Sequence, residues 1–441
     1  MFQKYPHHGL HRTFCLAVGG LLAAGNLWAQ SAPLTLQQVF ESAWSRQPEA
    51  ESLAVRRDAA EARRQGADSW TAEPPALEVS AKTDQLNKNQ GSREYVAGIA
   101  LPLWLPGERA RTGALADAES KATSSRALAA QLRIAAAVRE AWWTWQRARL
   151  ESALAQARLH SAQQLAGDVA RRVKAGDLAR SDQHQADGAM ASAEVGLAEA
   201  KAAFAVATQH LRALIGTVPG EQAALAVAGE AIPGPLPGPL PEPLPEPLPK
   251  VPADFAALDT SHPAVVELLN RAEVARRGAE LAEVQTRANP ELTLATTRDR
   301  GVFGDPYQQT VTLGIRFPFG SESRHRAKAG LARAEAIEAE SQARLERERL
   351  MADLDAARVR VDSARDQLAA AEKRTRLGQE SRGFFEKSFR LGETDLPTRL
   401  RIELEASEAE RQATRARIDF AAAISALRQA MGLLPEQGNT P

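Results

Sequence analysis

The sequence predicts a mainly α-helical chain with a β-barrel portion. It is built as two internal repeats, each a long antiparallel helical hairpin plus a two-strand β-hairpin. Three observations carry this. Ala, Leu, Arg, Glu and Gln dominate the 441 residues and aromatics make up only 5%, a composition that favours long helices and thin helix–helix seams. Period-2 segments interrupt the helical pattern in both halves. The segments of the first half also recur in the second at a nearly constant offset.

The first 29 residues read as a secretory signal, with Lys4 and Arg12 ahead of the apolar run FCLAVGGLLAA (Phe14–Ala24) and a cleavage point after Ala29. The run is short for a membrane span. The single cysteine, Cys15, opens this run rather than following it, so no acyl anchor is expected, and the mature chain would hold no disulfide or Cys metal site. No later run of 18 apolar residues occurs, so any membrane crossing must use strands. The 55 basic and 55 acidic residues balance, which gives no support for nucleic-acid binding.

The repeat is legible in paired motifs. RVKAGDLARSDQ matches SFRLGETDLPTR with Gly176 over Gly392, an offset of 216. The same offset lays QHLRALIG over SALRQAMG and GIALPL (98–103) over GIRFPF (314–319). Upstream the offset is 215, with Pro48 over Pro263 and PALEV (75–79) over PELTL (290–294). Repeat 1 is placed at 30–216 and repeat 2 at 260–433, with a tail at 434–441. Between them, 217–259 is a linker whose IPGPLPGPLPEPLPEPLPKVP excludes helix and sheet and reads as an extended spacer, the sharper alternative being a docking motif.

Each repeat is expected to open with a helix (34–70; 260–287), followed by a β-hairpin (75–103; 290–319). A very long helix (108–174; 323–390), a Gly-centred tip turn (175–181; 391–398) and a returning helix come next. At 1.5 Å per residue the long helix spans ~100 Å and the returning one ~55 Å. Two short helices stacked end to end would match the long one and place the linker and tail at mid-rod. In YQQTVTLGIRFPFG (307–320), Tyr307, Val311, Leu313, Ile315 and Phe317 alternate with Thr310, Thr312 and Arg316, and the other three strands alternate likewise. Tyr95, Ile99, Leu101 and Trp104 join the apolar and girdle set. The apolar row suits lipid and the polar row a water-filled lumen. A small sheet capping a helical bundle is the plainer reading of the same pattern. Four strands cannot close a barrel, so several protomers must share one.

Together, LTLQQVFESAWSRQPE, the two hairpins, and the turns KAGDLARSD and LGETDLPTRL resemble the TolC-like outer-membrane efflux proteins over essentially the whole mature chain. Among subfamilies the chain is most similar to the outer-membrane partners of cobalt–zinc–cadmium-type cation pumps. The resemblance implies a homotrimer with a 12-stranded outer-membrane barrel on an α-helical periplasmic tunnel. It implies docking on a periplasmic adaptor (a membrane fusion protein) and an inner-membrane pump of RND type. Gly176, Asp177, Leu178, Gly392, Glu393, Asp395 and Leu396 would then be the periplasmic tip that contacts the adaptor. The gate, or an acidic mouth, would involve Asp177, Asp182, Glu393 and Asp395. Thr398 and Arg401 stand where drug-exporting members of the family carry aspartates.

Plainer roles exist for each. Asp177 and Asp395 can cap the returning helices. Trp142, Trp143 and Trp145 fit inter-helix packing. The histidines show no metal-ligand spacing. No nucleophile–base or phosphate-binding motif occurs, so no enzyme activity and no cofactor are expected. The expected function is a passive exit duct, with heavy-metal cations as cargo. Drug export or type I secretion is the alternative. A periplasmic coiled-coil adaptor or scaffold without a pore is the alternative of another class, and a periplasmic hydrolase is a third.

Overall fold

The computed structural model describes residues 35–87, 89–216, 246–250, 261–320 and 322–436. The expected signal with Cys15, most of the linker and the end of the tail lie outside the described residues. The first half runs α1 (Leu36–Ser45), α2 (Pro48–Ala67), β1 (Ala76–Thr83), β2 (Arg93–Pro102), α3 (Glu108–Ala175) and α4 (Arg180–Ile215). The second runs α5 (Pro263–Val284), β3 (Glu291–Arg300), β4 (Gln308–Arg316), α6 (Glu322–Arg390) and α7 (Leu396–Ala430).

The opening helix expected over 34–70 is two helices. Pro48, at the first position of α2, has no N–H to donate and holds Gln47 extended (φ −79°, ψ 140°), so the first segment stops. α1 itself begins with a capping box: Gln38 N donates to Thr35 Oγ1 at 3.3 Å and Thr35 N to Gln38 Oε1 at 2.9 Å. In the second half, the helix expected from 260 starts only at Pro263, capped by His262. β4 is also shorter than the expected 307–319. It ends at Arg316 because Pro318, two residues on, cannot extend a ladder.

The four strands form one antiparallel sheet in the order β1-β2-β3-β4, joining the two hairpins through β2 and β3. Its pairing is continuous, so side chains two residues apart stay on one face along every strand. β1 and β4 are its open edges.

α3 has 68 residues and α6 has 69, about 100 Å each at 1.5 Å per residue. In the half nearer the sheet, α2 lies against α3 (Arg63–Glu119, 2.9 Å; Arg64–Asp117, 2.7 Å) and α5 bridges α3 to α6 (Arg111–Glu280 and Arg333–Glu283, both 2.5 Å). In the half nearer the tips, α4 packs on α3. There α7 bridges α3 to α6 through Arg147–Asp419 (2.5 Å) and Arg417–Glu372 (3.1 Å). Exposed pairs of this kind contribute little individually; they record which helices are neighbours.

The seams are thin, with Ala186, Ala193, Ala406, Ala409 and Ala413 buried in them. Bulk is concentrated at the middle, where Val39, Phe40, Trp142, Trp143, Trp145, Leu211 and Ile418 share one core. The Trp142 and Trp145 rings lie 5.4 Å apart, and Trp145 Nε1 donates to Thr208 Oγ1 at 3.2 Å. The tryptophan run is therefore packing. The short helices abut end to end at this level. A Cβ on Gly432 (φ 74°), just past α7, would sit 2.6 Å from Pro263 at the start of α5.

Candidate functional site

Three levels of the molecule carry the candidate function. The first is the sheet wall. Leu77, Ile99, Leu294 and Leu313 are directly opposed across all four strands, and each is exposed. Val79, Ala97, Thr296 and Val311 form the next row. Tyr95, Leu101 and Ile315 share this face, so the expected apolar set is brought together. Tyr307 precedes β4, with its ring 6.4 Å from that of Tyr95. Trp104 and Phe317 lie just beyond the strand ends. Trp104 is half-buried and donates Nε1–H to the Ser69 carbonyl at 3.1 Å.

The opposite face carries Glu78, Ser80, Lys82, Glu94, Thr293, Thr310, Thr312 and Arg316 among small residues. It is tightly built. A Cβ on Gly98 would meet that of Ala295 at 2.9 Å, and Thr293 Oγ1 donates to the Gly314 carbonyl at 3.2 Å. Between sheet and helices, the buried Glu108 ties both halves. Its carboxylate accepts from Leu105 N–H at 3.0 Å and from the Gln285 and Asn289 side-chain amides at 2.7 Å each. Sequence reading missed Glu108; its only signal is an acid in the first turn of a helix.

The second level is the middle. Glu246, in the proline-rich linker, is 3% exposed and bridges two buried arginines. Arg139 of α3 grips it bidentately (Nη2–Oε1 2.8 Å, Nε–Oε2 3.0 Å), and Arg428 of α7 donates Nε–H at 3.2 Å. Arg139 also donates to Gln429 Oε1 at 2.6 Å and to the Leu433 carbonyl at 3.0 Å, so Glu246 and the chain just past α7 lie against α3 near its midpoint.

The third level is the tips. Gly176 (φ 88°) and Gly392 (φ 81°) end the long helices in left-handed turns with open space around them. Leu178 and Leu396 turn inward onto Leu165, Val169, Ala186 and Phe389. The Phe389 ring lies between two guanidiniums, Arg172 of α3 at 4.9 Å and Arg399 of α7 at 4.7 Å, which joins the two hairpin ends.

Asp395 caps α7, accepting from Thr398 N–H at 3.2 Å. Hydrogen bonds from the Thr398 side chain and backbone hold its carboxyl below the ordinary aspartate range. Asp177 does not cap α4. The turn places Ala179 at that position, and Asp182 reaches back to accept from Ala179 N–H at 3.0 Å. Asp177 and Glu393 are exposed, and Arg401 pairs with Glu405 one turn along α7 at 2.9 Å. Two of the four expected mouth carboxylates are thus engaged in capping. Among the described residues no group of three His, Cys, Asp or Glu side chains is placed to hold a metal ion, and no helix is long and apolar enough to cross a membrane.

The long paired helices of the first half, ending at Gly216, coincide with a known family pattern. Residues 39–217 match the outer membrane efflux protein family. Solved structures extend the likeness to both halves. CusC, crystallised in a study of conformational changes accompanying folding and transmembrane channel formation, has a TM-score of 0.70 at 16% identity, covering 90% of this chain and 92% of its own. The Campylobacter jejuni CmeC outer membrane channel gives 0.70 at 14% identity, covering 92% and 87%. The open state of the Neisseria gonorrhoeae MtrE outer membrane channel gives 0.69 at 17%, covering 90% and 89%. At these identities the likeness establishes a shared fold with outer-membrane channels. No curated protein sequence matches the chain.

Proposed function

We propose that this chain is the outer-membrane channel of a tripartite efflux system, a passive exit duct that receives cargo from an inner-membrane pump through a periplasmic adaptor. The observation that carries the reading is the exposed apolar row Leu77–Ile99–Leu294–Leu313 across a sheet with two open edges. An apolar face of this kind is stable against lipid, but unpaired strand edges in lipid are not. Three copies pairing β1 of one to β4 of the next make a closed barrel of 12 strands, within the size range of bacterial barrels.

The two halves read as copies of one unit. In the trimer, the helical columns of each protomer form part of a periplasmic tunnel, and its tips, around Gly176, Leu178, Gly392 and Leu396, meet the adaptor. A pore-less adaptor or scaffold would have no use for a two-edged sheet with an apolar outer face. Fractionation tests the reading directly. The protein is expected in the outer membrane as a heat-modifiable trimer, and a soluble monomer would refute it.

Within this class we propose heavy-metal cations as cargo, drawn to the exposed carboxylates Asp177 and Glu393 at the tips, with an RND-type pump as energy source. The same fold serves drug export and protein secretion. Deleting the gene should raise sensitivity to one or a few of zinc, cobalt, cadmium and copper. Broad antibiotic sensitivity with normal metal tolerance would replace the metal reading by drug export.

A further inference from the structure

The apolar face of the sheet changes character at its hairpin-turn end. Moving from the helices outward, the rows run Leu101–Leu292–Ile315, then Leu77–Ile99–Leu294–Leu313, then Val79–Ala97–Thr296–Val311. The next row is Ala81–Tyr95–Arg298–Gln309, and the last sets Arg93 directly opposite Arg300. Like charges directly opposed across a ladder are unfavourable. Among the described residues no carboxylate forms an ion pair with Arg93, Arg298 or Arg300. Glu94 and Asp299 fall on the other face by register, where Glu94 faces Lys82 at 3.5 Å. In the β1–β2 turn, Asp84 accepts from Gln90 N–H at 2.6 Å.

Aromatic rings hold two of these cations in place. The Arg298 and Arg300 guanidiniums lie 4.9 and 5.1 Å from the Tyr307 ring centroid, and Arg300 also sits 5.5 Å from Phe303. Arg300 Nε donates to the Gly91 carbonyl at 3.0 Å, which ties this guanidinium to the β1–β2 turn.

We infer that Arg298 and Arg300 on their tyrosine platform, with Arg93 across the ladder, bind the phosphate groups of an anionic lipid in the outer leaflet. The inference rests on the outer-membrane reading, which puts this end of the sheet at the headgroup level facing the cell exterior. Three charges within two strand steps suit a headgroup with more than one negative charge, and guanidinium forks match phosphate oxygens. The apolar rows begin one row below, at about 7 Å per two-residue step, where the acyl chains of the same lipid would lie. A free phosphate ion would make only the polar half of this contact.

The test uses the full-length channel purified in detergent and measured by native mass spectrometry with bis-phosphorylated lipid A, dephosphorylated lipid A and inorganic phosphate as probes. The wild type should retain phosphorylated lipid A. R93Q/R298Q/R300Q should lower retention about tenfold, and the single exposed change R298Q should lower it partway. Dephosphorylated lipid A should bind wild type and variants alike and weakly, and millimolar inorganic phosphate should not displace the lipid. Equal retention of phosphorylated lipid A by wild type and the triple variant, or displacement by inorganic phosphate, would overturn the inference. Outer-membrane fractionation of the same proteins keeps the two readings separate. A wild type absent from the membrane sinks the channel, whereas a membrane trimer whose lipid retention ignores the arginines sinks only this site. R298Q, checked for the heat-modifiable trimer, covers the case in which the triple variant fails to assemble.

Discussion

The Glu246 carboxylate sits between the guanidiniums of Arg139 and Arg428, with all three side chains 5% exposed or less. Removing one partner from such a group leaves a buried charge uncompensated, at a cost of roughly 3 kcal/mol. Glu246→Gln should therefore lower the thermal unfolding midpoint. It should also release the linker locally, which limited trypsin digestion reads as faster cleavage after the exposed Lys250. An unchanged midpoint with unchanged cleavage would show that the triad does not anchor the linker. His262 gives a second residue-level expectation. Burial pushes its imidazole below the ordinary histidine value. The folded chain then holds fewer protons there than the unfolded chain as pH drops below about 6.5. This contribution to stability is complete above that pH and is lost as pH falls through the folded value. His262→Asn keeps an acceptor for Ala264 N–H without the titration. It should flatten the fall in unfolding midpoint on acidification from neutral pH, while the wild type retains it.

At the scale of elements, the tip turns are the points where single backbone angles set the design. Gly392 has φ 81° and nothing near its absent Cβ, so Gly392→Ala probes backbone strain alone and should cost about 1 kcal/mol. Gly98→Val acts differently: its side chain would be driven into Ala295 across the ladder, and barrel assembly should fail, read as loss of the heat-modifiable form. Both glycines mark what a sequence conveys well. Strand faces follow from strict alternation, and the long helices from an uninterrupted Ala-rich pattern ended by Gly176 and Gly392. What the sequence hid has a physical cause in each case. The break at Arg46–Gln47 turns on Pro48, a residue as much at home in the first turn of a helix as at a break. Asp177 looked like a cap, but the turn gives that task to Asp182, one helical turn inside α4. Glu108 and Glu246 read as ordinary surface acids. Their side-chain partners lie more than a hundred residues away in sequence, and no periodicity records contacts at that range.

For the whole molecule, the proposed channel requires that the four-stranded sheet, open at β1 and β4, be completed by copies of itself. On α6, Leu331, Leu345 and Val359, at 14-residue intervals, are exposed and have no cover among the described residues, which suits a seam between copies. Glutamates placed at Leu345 and Val359 should reduce trimer yield in detergent while leaving helix content by circular dichroism intact. In the proposed channel the Val311–Leu313–Ile315 face meets lipid and the Thr310–Thr312 face meets water. Single cysteines at 310, 311, 312 and 313, labelled in intact outer membranes, test it most directly. T310C and T312C should react with a membrane-impermeant maleimide, whereas V311C and L313C should resist it and be quenched by lipid-borne spin labels once tagged with a permeant fluorophore. Rapid aqueous labelling at 311 and 313, with protection at 310 and 312, would contradict it.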